Sequence, residues 1–328
     1  MKTLLLAAVK VVLTFCLFAL ALRSINFGDV LIEIRRLPPI AFLLVAVLLV
    51  CQMAVSGVRL SAITGILTSP VPLAKTLRIN WVGAFFSQAL VTFVSGDVVR
   101  TMMLSRSCGM TTRDSIGTVT LDRAVGLLSS LLIVSMTAPW AIQLTGDETM
   151  RQSIEVLAVI GVLLVTGFTM VGYLARHPEL VQIVRAKIRG SRIAYVVLDA
   201  MSVARHLFNG RRQLPKILGT SFVIQIINVT VIFALINGMG APVSIFQCLL
   251  IVPTVMLISL LPFSIAGWGL RESAMATGFS LVHIPAAVAL AASLMFGVFT
   301  LLLALPGGLL WWSSGTKIPA EAAGAKES

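Results

Sequence analysis

Charged residues are scarce in this sequence. They form 12% of the 328 residues, whereas 58% are hydrophobic and the mean hydropathy is +1.00. Soluble globular domains carry about 25% charged residues, so the composition excludes that class and indicates an integral membrane protein. The sequence also lacks the short segments of alternating hydrophobicity that a membrane β-barrel requires. We therefore predict that the chain crosses the membrane as α-helices.

The residue patterns of common catalytic and metal sites are missing too. The sequence has no CxxC pair, no HxxxH or HxxE spacing, no GxSxG motif and no phosphate-binding P-loop. Its cysteines and histidines all stand singly, at Cys16, Cys51, Cys108, Cys248, His177, His206 and His283. We predict that the protein is not an enzyme and uses neither a metal ion nor a cofactor.

Acidic residues are the rarer charged class. Asp and Glu number 13 against 25 Lys and Arg, which gives a net charge of +12. In a soluble protein this excess would indicate a nucleic-acid partner. In a membrane protein it is typical of Lys and Arg held on the cytoplasmic side, next to anionic lipid head groups. We therefore predict membrane lipids with anionic or aminoacylated head groups as partners, and no nucleic acid.

Long apolar runs dominate what remains. A transmembrane helix needs about 20 apolar residues, and six runs reach that length: 4–22, 40–58, 116–142, 154–174, 217–236 and 288–312. Two further runs, 79–94 and 243–261, are ambiguous. The sequence predicts an all-α polytopic membrane protein with about six full spans plus two re-entrant hairpins, or eight spans. It would form a single transmembrane domain over 1–315, followed by a short polar tail, 316–328.

The predicted topology also depends on the first apolar run and on the largest loop. The first run is interrupted by Lys10 and extends to Leu22, and it is predicted to be a retained helix rather than a cleaved signal peptide. The loop 175–216 is rich in Arg and Lys and is predicted to be cytoplasmic by the positive-inside rule. If the two ambiguous runs form re-entrant hairpins, more basic residues lie on the cytoplasmic side than if all eight runs cross the membrane. We therefore favour the hairpins. Either the loop only fixes the topology, or it forms an interfacial helix that presents Arg205, Arg211 and Arg212 to lipid phosphates.

Two similar segments end apolar runs, one in each half of the chain. FVSGDVVRTMM (93–103) and LPFSIAGWGLRESA (261–274) both contain Phe, Ser, Gly and then Arg. Gly-interrupted hydrophobic segments at corresponding places in two halves indicate an inverted repeat, in which broken helices form a substrate site near the bilayer midplane. Arg100 and Arg271 hold equivalent positions in the two segments.

The first segment carries one candidate site. Asp97 and Arg100 share a helix face at spacing i, i+3, and Gly96, after Ser95, lets the backbone approach a ligand. A helix that begins there directs free N–H groups and the Arg100 charge at an anionic head group. Alternatively, Asp97 only caps the helix and pairs with Arg100. Both interpretations remain open.

Further ionisable residues lie at the start of the fourth run. Asp122 and Arg123 are adjacent, so their side chains point about 100° apart and each needs a partner elsewhere. An Arg from a hairpin is the obvious partner for Asp122. The pair is either functional or a structural buried ion pair.

The second segment is the other candidate site. Around Ser264 the segment contains Pro262, Gly267 and Gly269, which do not suit a plain spanning helix. This favours a broken element that lines a cavity. Arg271 and Glu272 follow directly. Glu272 either couples movement to protons or pairs with a basic residue.

Three sequence blocks resemble the lysylphosphatidylglycerol synthase transmembrane-region family. They are S-G-D-x-x-R at 95–100, D-R-x-x-G at 122–126 and L-P-x-S-x-x-G-x-G-x-R-E at 261–272. The first block departs from the family at 93–95, where a Pro and an extra Gly are usual. The resemblance implies a flippase-like, multi-pass protein of the bacterial inner membrane. Because the sequence ends at Ser328, we expect no soluble aminoacyl-transferase domain of the kind that full-length synthases carry.

Two functions follow from these observations. In the first, two opposed hairpins bind a polar lipid or lipid-linked precursor and carry it between leaflets, with Arg100 and Arg271 on its phosphate and the Asp122–Arg123 region locking one conformation. In the second, the chain is a non-transporting accessory subunit that recruits a lipid-modifying or envelope-glycan enzyme through the basic loop. The predicted substrate-binding residues are Ser95, Gly96, Asp97, Arg100, Asp122, Arg123, Ser264, Gly267, Gly269, Arg271 and Glu272.

Overall fold

The computed structural model describes residues 27–89, 95–143, 148–174, 177, 212–260 and 267–313. Within these ranges the chain forms ten helices and no strand. In chain order they are α1 (Phe27–Arg35), α2 (Pro39–Leu67), α3 (Leu73–Ala89), α4 (Ser95–Cys108), α5 (Thr112–Gln143), α6 (Glu148–Leu174), α7 (Leu214–Gly238), α8 (Ile245–Ser259), α9 (Leu270–Ser280) and α10 (Ala286–Trp312).

Four helices are long and apolar enough to cross a membrane. They are α2, α5, α7 and α10, with 25 to 32 residues each. They contain four of the six predicted spans, so a multi-pass all-helical protein is confirmed. The predicted run 154–174 lies in α6, and the run 4–22 lies outside the described residues. The predicted tail 316–328 also lies outside them.

The two ambiguous runs, 79–94 and 243–261, lie largely in the short helices α3 and α8, and the helices that follow them, α4 and α9, are also short. Helix α3 has 17 residues and α4 has 14, while α8 has 15 and α9 has 11. At about 1.5 Å per residue, each is shorter than a hydrocarbon core of about 30 Å. The predicted interruption near Gly267 is present, because α8 ends at Ser259 and both Gly267 and Gly269 have positive φ values. Near Gly96, the described helix α4 begins at Ser95 and packs against α3. The residues that join each pair, 90–94 and 261–266, are outside the described part, so the hairpins and the inverted repeat stay predictions.

The predicted connections around α2 were wrong at both ends. The predicted runs begin at 40 and 79 and left 23–39 and 59–78 as connections. However, α1 occupies much of the first, and α2 continues to Leu67 before α3 begins at Leu73. Only 68–72, with Pro70 and Pro72, connects these two helices. Arg59 therefore lies inside a spanning helix, where it is buried. The charge is accommodated there because it has an acidic partner, as described below. Apart from residues 177 and 212–216, the predicted loop 175–216 lies outside the described residues.

The apolar core is divided along α2. Its first half packs with α7, α8, α9 and α10 in the largest buried cluster. Leu60, in its second half, packs with α3 and α4 in another cluster, and Ala62 and Ile63 pack with α5 and α7 in a third. Between the halves, polar side chains from Gln52 to Arg59 face a cavity. The fold therefore places a polar cavity in the middle of a bundle of apolar helices.

Small residues set the close contacts between helices, as is usual where lipid supplies no hydrophobic driving force for association. Gly238 leaves room for Leu37, and Gly307 leaves room for the backbone of Trp81. Gly96 at the start of α4 contacts Ser87 and the carbonyl oxygen of Gly83 on α3. This contact gives Gly96 a packing role.

Substitution of Gly96 tests that packing. In Gly96→Ala the added methyl group would overlap the Ser87 hydroxyl and the Gly83 backbone, so we expect a loss of about 1–3 kcal/mol in the free energy of unfolding. Gly219→Ala is the matched control, since the new methyl group meets no described atom within 4 Å. Denaturant titration in detergent would compare both with the wild type. Equal stability of the two variants would contradict the packing role.

Candidate functional site

The site is built around Asp122, a buried carboxylate in the membrane-spanning helix α5. Arg59 Nε on α2 donates to its Oδ1 at 2.8 Å, and Arg100 Nη2 on α4 donates to its Oδ2 at 2.8 Å. All three residues are less than 10% exposed. Each carboxylate oxygen thus accepts from a different helix, which ties α2, α4 and α5 together. The predicted partnership between Asp122 and an Arg of the first segment is present.

The network continues from Arg100 to the first turn of α4. Arg100 lies 3.5 Å from Asp97 Oδ1, and Arg123 Nε and Nη2 donate to the two Asp97 oxygens at 2.9 and 3.0 Å. Arg59 also donates to the hydroxyl of Ser221 at 3.3 Å. As expected, Asp122 and Arg123 pair with other residues. The helix-capping interpretation of Asp97 is incomplete, because this carboxylate joins two arginines on different helices.

The five charged side chains form a chain, which we call the arginine–aspartate network: Arg59, Asp122, Arg100, Asp97 and Arg123. It contains three guanidinium groups and two carboxylates and therefore carries one positive charge in excess. Ions in a spanning region are costly unless they are paired or serve a function. The excess charge leaves the network able to attract an anion.

The network lines a cavity of about 410 Å³, here called the central cavity. The volume lies within the range of small-molecule sites, about 300–1,000 Å³. Beside the charged residues, its wall contains amides and hydroxyls from α2, α3, α5 and α7: Gln52, Ser56, Asn80, Ser87, Ser130, Gln225 and Asn228. Apolar side chains such as Met53, Leu127 and Phe296 complete the wall. The cavity therefore offers charged and hydrogen-bonding groups that suit a polar or charged head group, within a partly apolar wall.

A second groove lies on the other side of the Asp97–Arg123 pair. It has a volume of about 640 Å³ and runs between α4 and α5, past Thr101, Arg106 and Ile116. Asp97 and Arg123 line both this side groove and the central cavity. The Asp97–Arg123 ion pair therefore forms part of the wall between the two spaces.

Arg271 and Glu272 form a separate cluster at the start of α9. Arg271 Nη2 donates to Glu272 Oε1 at 2.7 Å, and the Ser293 hydroxyl donates to the same oxygen at 3.0 Å. The guanidinium also lies over the rings of Trp268 and Phe296, at 5.2 and 5.3 Å from their centroids. Phe296 lines the central cavity, whereas neither Arg271 nor Glu272 is among its described lining residues.

The glycines of the second segment shape the turn into α9. Gly267 and Gly269 have φ values of 82° and 84°, which L-amino acids with side chains rarely adopt. Gly269 N–H donates to Glu272 Oε2 at 2.6 Å and so caps the helix. Glu272 thus has a salt bridge and a capping role, in line with the simpler of its two interpretations. Ser264, and the side chain of Ser95, lie outside what the structure describes.

Sequence reasoning missed several residues of the site. Arg59 was assigned to a loop because a charge normally ends an apolar run. The amides Gln52, Asn80, Gln225 and Asn228 were also overlooked, although Gln52, Gln225 and Asn228 lie within long apolar helices. Isolated polar side chains within spanning helices face the protein interior, and this was the signal that could have found them.

A match to a known protein family shows the family to which the chain belongs. Residues 7–308 match the family described as the lysylphosphatidylglycerol synthase TM region. The chain belongs to this family. No curated protein and no solved structure matches it. For this member of the lysylphosphatidylglycerol synthase TM-region family, the spanning helices and the family match agree on a multi-pass membrane protein.

Proposed function

We propose that the protein binds the phosphate of an anionic lipid head group in the central cavity and passes the lipid between the leaflets of a bacterial inner membrane. The observation that carries this proposal is the arginine–aspartate network, in which Arg59, Arg100 and Asp122 are buried and which lines the central cavity. The network holds three guanidinium groups and two carboxylates, and this excess positive charge favours an anionic ligand.

A free donor supports the same conclusion. Nε of Arg100 is buried, and no described residue accepts a hydrogen bond from it. A phosphate oxygen would accept from this N–H group in a charge-assisted hydrogen bond, which is among the stronger ones in proteins. Arg59 and Arg100 are held in place by Asp122, so the donors are oriented before the lipid arrives.

The Asp97–Arg123 ion pair is the part of the network that would rearrange when a lipid enters. The Arg123 side chain is 43% exposed, whereas that of Arg100 is 10% exposed, so Arg123 has more freedom to move. A phosphate that enters by the side groove would compete with Asp97 for Arg123. Exchange of partners would open the wall to the central cavity and admit the head group. The acyl chains would stay in the surrounding lipid.

A liposome assay tests the proposal. Purified protein in liposomes that contain phosphatidylglycerol with a fluorescent acyl chain should equilibrate the label between leaflets, which dithionite quenching reports. Arg100→Gln removes the donor but leaves the Arg59–Asp122 pair, and we expect its rate to fall by about tenfold to a hundredfold. The control, Arg36→Gln, changes an exposed arginine that pairs with Glu33. Equal rates for both variants would contradict the proposal.

A further inference from the structure

The amide side chains of the central cavity have no role in phosphate binding. Three of them use only one end of the amide group. Gln52 Nε2 donates to Asn228 Oδ1 at 3.1 Å, Asn80 Nδ2 donates to Ser56 Oγ at 3.1 Å, and Gln225 Nε2 donates to Ser130 Oγ. Their carbonyl oxygens, Gln52 Oε1, Asn80 Oδ1 and Gln225 Oε1, are buried and accept from no described residue.

Three unpaired buried acceptors beside one cavity need an explanation, because each loses its hydration without gaining a hydrogen bond. Asn80 is 5% exposed and Gln225 is 7% exposed, yet both belong to the cavity lining. The terminal torsion of an amide is broad, so a small rotation brings each oxygen to the cavity surface. These side chains are placed to accept hydrogen bonds from a guest.

We propose that Gln52, Asn80 and Gln225 bind hydroxyl groups, and that the cavity selects an anionic lipid whose head group carries several hydroxyls. This inference rests on the proposed function, since it takes the phosphate to be held by the arginine–aspartate network. It adds the class of head group that lies beyond the phosphate.

An ammonium group also donates hydrogen bonds, but the charges of the cavity disfavour it. Both carboxylates of the network are already occupied by arginines, Asp122 by Arg59 and Arg100, and Asp97 by Arg100 and Arg123. The excess charge of the network is positive. An ammonium in the cavity would lose its hydration without a carboxylate to pair with, which costs more than the burial of a neutral hydroxyl. The chemistry therefore favours a polyol over an amino or aminoacyl head group.

Three lipids with the same phosphodiester and the same acyl chains separate these possibilities. Phosphatidylglycerol offers two hydroxyls, phosphatidylethanol offers none, and phosphatidylethanolamine offers an ammonium. Binding to the purified full-length protein in detergent would be measured as Kd for each lipid. We expect phosphatidylglycerol to bind about tenfold more tightly than phosphatidylethanol, and phosphatidylethanolamine to bind more weakly than either.

Substitution of the amides should remove the selectivity. In Gln225→Leu the ratio of the two Kd values should fall from about tenfold to near one. Asn80→Leu tests the same wall if the first variant does not fold. Gln143→Leu, at the exposed end of α5, is the matched control and should keep the ratio. Because each ratio is measured within one protein, a general loss of stability does not imitate the effect.

The outcomes distinguish this inference from the proposed function. Equal Kd values of the wild type for phosphatidylglycerol and phosphatidylethanol would overturn the inference and show that water satisfies the amides. Tighter binding of phosphatidylethanolamine would overturn it in favour of an amino head group. Selective binding without movement of lipid in liposomes would support the inference and overturn translocation. Binding of none of the three lipids would overturn both.

Discussion

Replacing Asp122 with leucine is expected to lower the free energy of unfolding by about 3–5 kcal/mol. The change leaves Arg59 without an acidic partner and Arg100 with only the more distant Asp97, and both guanidinium groups are buried. A buried charge that loses its partner keeps the full penalty of desolvation. Denaturant titration of the purified variant in detergent would measure the loss.

A control for this experiment is Glu148→Gln on α6. It also removes one carboxylate, but the Glu148 side chain is 70% exposed and lies 3.9 Å from Arg151, so water screens the pair. We expect a change below about 0.5 kcal/mol. Similar losses of unfolding free energy in Asp122→Leu and Glu148→Gln would show that the buried network does not hold α2, α4 and α5 together.

The triple variant Arg59→Met, Arg100→Met, Asp122→Leu is expected to regain most of that stability. This variant removes the two arginines that donate to Asp122 together with Asp122 itself. A buried ion triad can often be replaced by apolar residues without loss of stability. The Asp97–Arg123 pair remains balanced in this variant. We expect a free energy of unfolding within about 1–2 kcal/mol of the wild type. A triple variant as unstable as Asp122→Leu alone would mean that the charges are required for the fold.

Composition and hydrophobic runs were sufficient for much of the fold. The runs around α2, α5, α7 and α10 are apolar over their whole length, and such a pattern has few alternatives besides a spanning helix. The break before α9 could also be predicted, since glycine and proline disfavour a continuous helix. The boundaries around α2 could not, because a single Arg59 looks like the end of a helix when its partner is 63 residues away.

The candidate site could be predicted only in part, for a related reason. Asp97, Arg100, Asp122 and Arg123 were found because charges in an apolar sequence are conspicuous, but their pairing depends on how α4 packs on α5. Arg271 was expected beside the lipid phosphate from its position in the second segment. In the structure it pairs with Glu272 behind Phe296. Local sequence similarity between the halves does not reveal which arginine faces the cavity.

The most direct test of the account is lipid movement by the triple variant that keeps the fold but lacks the buried charges. The rate at which fluorescent phosphatidylglycerol equilibrates between liposome leaflets would be measured for this variant and for the wild type, after both are shown to be folded. The account predicts that the variant moves lipid no faster than protein-free liposomes do. A folded variant that moves lipid at the wild-type rate would contradict the claim that the arginine–aspartate network binds the head group.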